Sequence, residues 1–242
     1  MDNNHIFAGK IYITKNERLM NRISTCFLCI CCIICLILVA FGTIFTSAQV
    51  NGYSMYPTLN PDNTNENKHD VVYYTDLFGY NRGDIIIVDL PNRDELGIKR
   101  LIALGGDKVC FGDINNNEEM IIYVNGEALY EPYVNMTDNI AIEGRKRAIK
   151  DFKDEIKKYI NGQNNYFTNT CKRVYLNKNN QYEIELKDDY FIYLGDNRGN
   201  SYDCSENGPQ HISNLLAKVC ITVPYGLSIY NVYWYKFCRL FK

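Results

Sequence analysis

Histidine is scarce in this chain, tryptophan scarcer, and net charge almost absent: 242 residues carry three His, one Trp and a formal charge of -2. Near-neutrality removes the electrostatic footprint of a nucleic-acid partner, so none is expected. The sequence has no HExxH, no Cys/His metal spacing and no glycine-rich phosphate loop, and neither a metal nor a cofactor is expected. His5, His69 and His211 sit in no motif-like stretch, which removes histidine as the expected base of a hydrolytic site. Internal repeats and low-complexity linkers are missing too. Cysteine is plentiful, yet Cys26, Cys29, Cys31, Cys32 and Cys35 fall in one apolar run, where a thiol is a small apolar residue. Cys110, Cys171, Cys204, Cys220 and Cys238 are scattered, without a CxxC pair and odd in number. That pattern excludes a disulfide framework and leaves one bridge open.

Charge is wholly absent from Cys26 to Phe45, and at about 1.5 Å of rise per residue such a run crosses a bilayer core. The run exceeds the h-region of a cleavable signal, which favours a retained anchor over residues 24–48. Lys10, Lys15, Arg18 and Arg22 precede it, whereas Thr46 to Asn67 contains neither Lys nor Arg. Residues 1–23 are therefore expected in the cytoplasm and the remainder outside, in a single-pass protein of the cell membrane in contact with lipid.

Beyond the anchor the pattern predicts a mainly β domain. Strands are expected at 84–90, 98–104, 121–124, 190–194 and 217–223, with a two-residue hairpin at Asn125-Gly126. Ile149, Phe152, Ile156 and Tyr159 recur at helical spacing and predict an amphipathic helix between Glu143 and Gly162. The β domain is thus read as two parts, 49–134 and 188–223, separated by an insertion at 135–187 with a solvated surface. The tail at 224–242 mixes Tyr, Trp and Phe with Lys236, Arg239 and Lys242, which suits the membrane interface better than a second span.

Four compact segments carry chemistry: NGYSMYPTL at 51–59, RGDIIIV at 82–88, GIKRLIALGGDKV at 97–109 and GDNRGNSYDCSENGP at 195–209. In this order, behind an N-terminal anchor, they resemble the type I signal peptidase family of bacterial type, from the anchor to about Val223 and excluding the insertion. YVNGEALYEPYV at 123–134 extends the likeness. The resemblance implies a signal-peptidase-like, LexA-like β domain with an inserted α-containing subdomain. It also implies a serine endopeptidase acting on signal peptides of secreted preproteins.

By resemblance Ser54 is the nucleophile and Lys99 the general base, joined through an acyl-enzyme. A charged lysine cannot take a proton, but burial disfavours the ammonium, so a lysine on an apolar strand is a workable base. Ser201 matches the serine that orients the lysine; Asp196 and Asp203 match bracing carboxylates, with Arg100 paired to one of them. The Ser54 amide matches the oxyanion donor, and Gly52 leaves a second donor unassigned. Val50, Met55, Leu59 and Ile98 match pocket positions that favour Ala-x-Ala before the cut, although core packing accounts for Leu59 equally well.

The chain departs from the family pattern at Gly105, where Pro is usual, at Gly199, where Asp or Asn is frequent, at Cys204, and at Ser205, where Arg is usual. Losing that Arg removes an expected partner of Asp203. Two alternatives stand beside the peptidase: a catalytically silent, membrane-tethered protein that holds signal peptides, and a LexA-like self-cleaving Ser-Lys protease. The latter would carry a DNA-binding domain in place of the anchor.

Overall fold

The computed structural model describes residues 15–60, 68–113, 120–134, 139–178 and 181–229. The chain divides into two units, residues 1–45 and 46–242. The first unit contains helix α1, Lys15–Ile44, with no buried residue and an apolar window long enough to cross a membrane. It extends beyond the uncharged run at its N-terminal end, where Lys15, Glu17, Arg18, Leu19 and Met20 are all good helix formers. Arg18 and Arg22 lie on this helix, whereas Lys10 lies outside the described residues.

The second unit is mainly β. In chain order it contains β1 (Thr46–Gln49), β2 (Val71–Thr75), β3 (Ile85–Asp89), β4 (Leu96–Ala103), β5 (Lys108–Asp113), β6 (Met120–Val124) and β7 (Glu127–Ala128). Helices α2 (Asn139–Ile160) and α3 (Tyr166–Thr170) follow, then β8 (Cys171–Leu176), β9 (Tyr182–Leu186) and β10 (Tyr190–Leu194). The short helix α4 (Cys204–Asn207), β11 (Gln210–His211) and β12 (Leu215–Val223) complete it. A seven-stranded sheet has the order β1-β2-β12-β3-β4-β10-β11, and a five-stranded sheet the order β7-β6-β5-β9-β8. The pairings within both are antiparallel.

The strands form where period-two burial is available. Along β12 residues alternate between buried and less buried positions, with Leu215, Ala217, Val219, Ile221 and Val223 inward. The hairpin between β6 and β7 turns at Asn125 (φ 56°) and Gly126 (φ 84°), the two positive values such a turn needs. The expected strands are present with ends shifted by a residue or two, and β7 completes the expected hairpin; β1, β2, β5, β8, β9 and β11 are additional. Two of the additions, β1 and β8, are outer strands whose polar residues face solvent, so their hydrophobic signal is weak.

The 135–187 stretch does more than present a solvated surface. Ile149, Phe152 and Ile156 of α2 are buried, and Phe152 stacks on Phe111 of β5 with ring centroids 4.1 Å apart. Ile184 and Leu186 of β9 are fully buried in the same core, and β9 pairs with β5. Residues 1–14 and 230–242 lie outside the described residues, and with them most of the segment expected in the cytoplasm and of the aromatic tail. Cys110, Cys171 and Cys204 are buried thiols and Cys220 a half-buried one; Cys238 is also outside the described residues.

Candidate active site

Ser54 stands in a tight loop just after β1. Asn60 pins that loop from below: its side-chain amide donates to Val50 O at 2.7 Å and Gly52 O at 3.1 Å. Asn60 and Asp70 also exchange two backbone-to-side-chain bonds of 2.8 Å, which fix the far end of the loop to the start of β2. Met55 and Leu59 point inward, 2% and 1% exposed, and anchor the turn in a small core with Val50 and Val72.

Lys99 enters from β4, paired across the sheet with Ile86 of β3. It is 3% exposed. Loss of hydration pushes its amine below the ordinary 10.5; Asp203 pulls the other way, and Arg93 adds to the lowering.

A cavity of about 740 Å³ is lined by Ser54, Lys99 and Ser201, together with Val50, Met55 and Ile98. The structure therefore brings six of the sequence-selected residues to one surface. Leu59 is not among them: it lies in the core beneath the loop. The Ser201 Oγ is buried and makes no hydrogen bond among the described residues. Neither His69 nor His211 lines this cavity.

Asp196, Arg100 and Asp203 stand behind it. Arg100 holds Asp196 with two bonds, Nε to Oδ1 at 2.8 Å and a terminal nitrogen to Oδ2 at 2.5 Å, in the fork geometry suited to a carboxylate. Thr58 Oγ1 donates to the same Oδ2 at 2.5 Å, which ties the Ser54 loop to the last motif. Arg100 also donates to Gly83 O at 2.7 Å and lies 4.0 Å over the Tyr133 ring.

The Ser205 position changes the expectation for Asp203. Without an arginine, Asp203 still accepts from Gly195 N at 2.8 Å, from Ser205 N at 3.0 Å and from Ser205 Oγ at 2.8 Å. It caps α4, so the hydroxyl that replaces the arginine is also its partner. Gly105 likewise has a local reason, since a Cβ there would meet Asp188 O at 2.0 Å and a proline would not fit.

Four contacts had no signal in the sequence. Asn197 N donates to Ser54 O at 3.0 Å and its side-chain amide to Tyr53 O at 3.0 Å. Arg198 pairs with Glu131 through buried side chains, and Thr58 reaches Asp196 as described. These partners are 67 to 144 residues apart in the chain, so no local spacing could reveal them.

The family profile and the curated relatives point to the same family. The profile of the family described as signal peptidase, peptidase S26, matches residues 23–224. Signal peptidase I S of Bacillus subtilis (strain 168) is 29% identical over 167 residues, which cover 68% of this chain and 68% of that one. Signal peptidase I of Bacillus licheniformis is 35% identical over 105 residues, covering 43% and 48% of the two chains. A crystal structure of signal peptidase I from Enterococcus faecalis V583 aligns with a TM-score of 0.34 at 18% identity, covering 60% of this chain and 98% of that one. With one apolar helix of membrane-spanning length among the described residues, near the N-terminus, and a family match across most of its length, the chain belongs to the signal peptidase family, peptidase S26, and is a membrane-anchored hydrolase of the serine protease class.

Proposed function

We propose that the protein is a membrane-bound endopeptidase that removes N-terminal signal peptides from exported proteins after small residues in an Ala-x-Ala pattern. The relatives named signal peptidase I support the substrate class. One observation carries the chemistry: Lys99 is buried, with its amine pushed below the ordinary 10.5 by loss of hydration, in the wall of the cavity that Ser54 lines. A neutral amine there can take the Ser54 proton as the hydroxyl attacks the scissile carbonyl.

The backbone amide of Ser54 donates to the oxyanion of the tetrahedral intermediate. Lys99 then returns the proton to the leaving amine, and the acyl-enzyme remains. Water, deprotonated by the same amine, attacks the ester and frees Ser54. Ser201 orients Lys99: its buried hydroxyl makes no hydrogen bond among the described residues and is free to engage the amine when substrate closes the site. Asp196, Asp203 and Arg100 hold the supporting loops and do not react.

The substrate binds as an extended strand. β1 is the outer strand of its sheet, so one row of its backbone groups is free to pair with a peptide. Ala48 to Val50 on one side of the cavity, and Leu96 to Lys99 on the other, would flank that peptide. Val50, Met55 and Ile98 form the shallow apolar surface that favours small side chains. The silent-binder alternative loses its one support, because Asp203 keeps three donors despite the altered motif.

The N-terminus faces the cytoplasm and the β domain lies outside, as Lys15, Arg18 and Arg22 before the apolar run suggest. The decisive experiment reconstitutes the full chain in membranes with a precursor carrying an Ala-x-Ala site. Wild type is expected to process it, and Ser54→Ala and Lys99→Ala each to abolish processing. Normal cleavage by either variant would refute the dyad.

A further inference from the structure

Helix α2 lies between the catalytic motifs, and the mechanism above makes no use of it. Its second turn nevertheless reaches the loop at 195–201. A Cβ on Gly144 would lie 2.0 Å from Gly199 Cα, 2.5 Å from Gly199 N and 2.9 Å from Arg198 C. All three are backbone atoms, which cannot rotate aside.

The next residue strengthens the contact. Arg145 places a terminal nitrogen 3.2 Å from Glu131 Oε2, while the other oxygen of Glu131 accepts from Arg198. Arg198 Nε in turn donates to Gly195 O at 2.9 Å. One buried carboxylate thereby joins an arginine of the helix to an arginine of the loop. Arg147, further along α2, donates to Gly199 O at 3.4 Å.

We infer that the start of α2 is a buttress for the catalytic loop, with Gly144 and Arg145 as positioning residues that hold Ser201 and Gly195 against Ser54 and Lys99. The inference rests on the Ser54–Lys99 reading. A loop with glycines at 195 and 199 has many conformations to lose, and a backbone pressed against it on one side with a fixed charge pair on the other removes most of them. The departure at Gly199 makes sense in these terms: the position where the resemblance leads one to expect Asp or Asn lies against Gly144.

Displacing the loop has two consequences for the reaction. Ser201 moves relative to the lysine, and the cavity wall opens to water near it. The charged and titratable groups acting on Lys99 are Asp203, Arg93, Glu95, Asp196 and the Cys204 thiol, with Arg147, Glu206, Tyr53, Tyr74 and Tyr202 on the same cavity. None of them is changed by a substitution at residue 144 or 145.

The test uses the full chain in detergent micelles, with Gly144→Ala, Arg145→Lys, Arg145→Met and the exposed control Lys157→Ala. Gly144→Ala and Arg145→Met should lower kcat by about ten- to a hundredfold with little change in KM, because the misplaced group acts in the chemical step. The acid limb of kcat/KM should move to higher pH as Lys99 regains water, and Arg145→Lys should restore part of both. Lys157→Ala should match wild type. Fully folded Gly144→Ala with wild-type kcat and pH limb would overturn the buttress, as would a loss that only tracks the folded fraction. Should Gly144→Ala fail to fold, the Arg145→Met and Arg145→Lys profiles decide alone. Ser54→Ala and Lys99→Met are run alongside: if either stays active the dyad reading falls and the buttress with it, whereas inactive dyad variants beside a normal Gly144→Ala remove the buttress only.

Discussion

Gly195 is the spacer between Ser54 and Ser201: a Cβ built on it would lie 2.5 Å from the Ser54 carbonyl oxygen and 2.2 Å from the Ser201 hydroxyl oxygen. Its amide meanwhile donates to Asp203 at 2.8 Å. The Ser54 loop and the last motif are thus in contact through a position that has no room for a side chain.

Gly195→Ala should therefore overpack the site. The Ser201 hydroxyl can swing away, but the Ser201 Cβ, also 2.5 Å from the built atom, and the Ser54 carbonyl are fixed by the backbone, so both segments must shift. Overpacking of this kind costs about 1–3 kcal/mol. Thermal melts should show a moderate loss of stability, and precursor processing should fall far more than the folded fraction does.

Lys99→Met should separate stability from activity. The buried amine has its pKa below the ordinary 10.5, so the unfolded chain takes up the proton first as pH falls. Stability is thus full above the ordinary value and declines, by about 1.4 kcal/mol per pH unit, down to the folded-state pKa, below which it stays low. At neutral pH Lys99→Met is expected to raise Tm and abolish cleavage, and in the wild type cleavage should be lost as pH falls through the folded-state pKa. A Tm unchanged by Lys99→Met from pH 7 to 10 would contradict the lowered pKa of the buried amine.

Asp203 and Ser205 should differ in weight. Ser205→Ala removes one hydroxyl bond to a carboxylate and leaves two amide donors, so a loss of about 1.5–3 kcal/mol is the ceiling. Asp203→Asn sets an amide group among three donors, and either Gly195 N or the Ser205 pair then faces another donor. Denaturant melts and cleavage assays should both rank Asp203→Asn as the more damaging.

The anchor should be separable from the β domain. No residue of α1 is buried, so none of its side chains forms part of a core. A chain beginning at Thr46 is expected to keep its thermal transition and to lose carbonate-resistant association with membranes. A truncated chain that fails to fold would show that the helix contributes to the domain.

Much of the fold was legible where one residue pattern serves one environment. The apolar run in α1, the alternation along β12, the Asn125-Gly126 turn and the helical spacing of Ile149, Phe152 and Ile156 each report a local rule. Strands β1 and β8 escaped because outer strands carry polar residues, and β9 because it was read as part of a solvated insertion, although Ile184 and Leu186 alternate as a half-buried strand does. The resemblance supplied Ser54, Lys99 and Ser201, and composition contributed nothing to their selection.

The chain's own letters were enough to specify the anchor, the β class and the short motifs, because those depend on residues a few positions apart. Whether Lys99 loses its water, which partner replaces the missing arginine at Asp203, and how α2 reaches Gly199 depend on groups far apart in the chain. Desolvation, ion pairing and close approach are properties of a neighbourhood in space, and only the packed tertiary structure decides who the neighbours are.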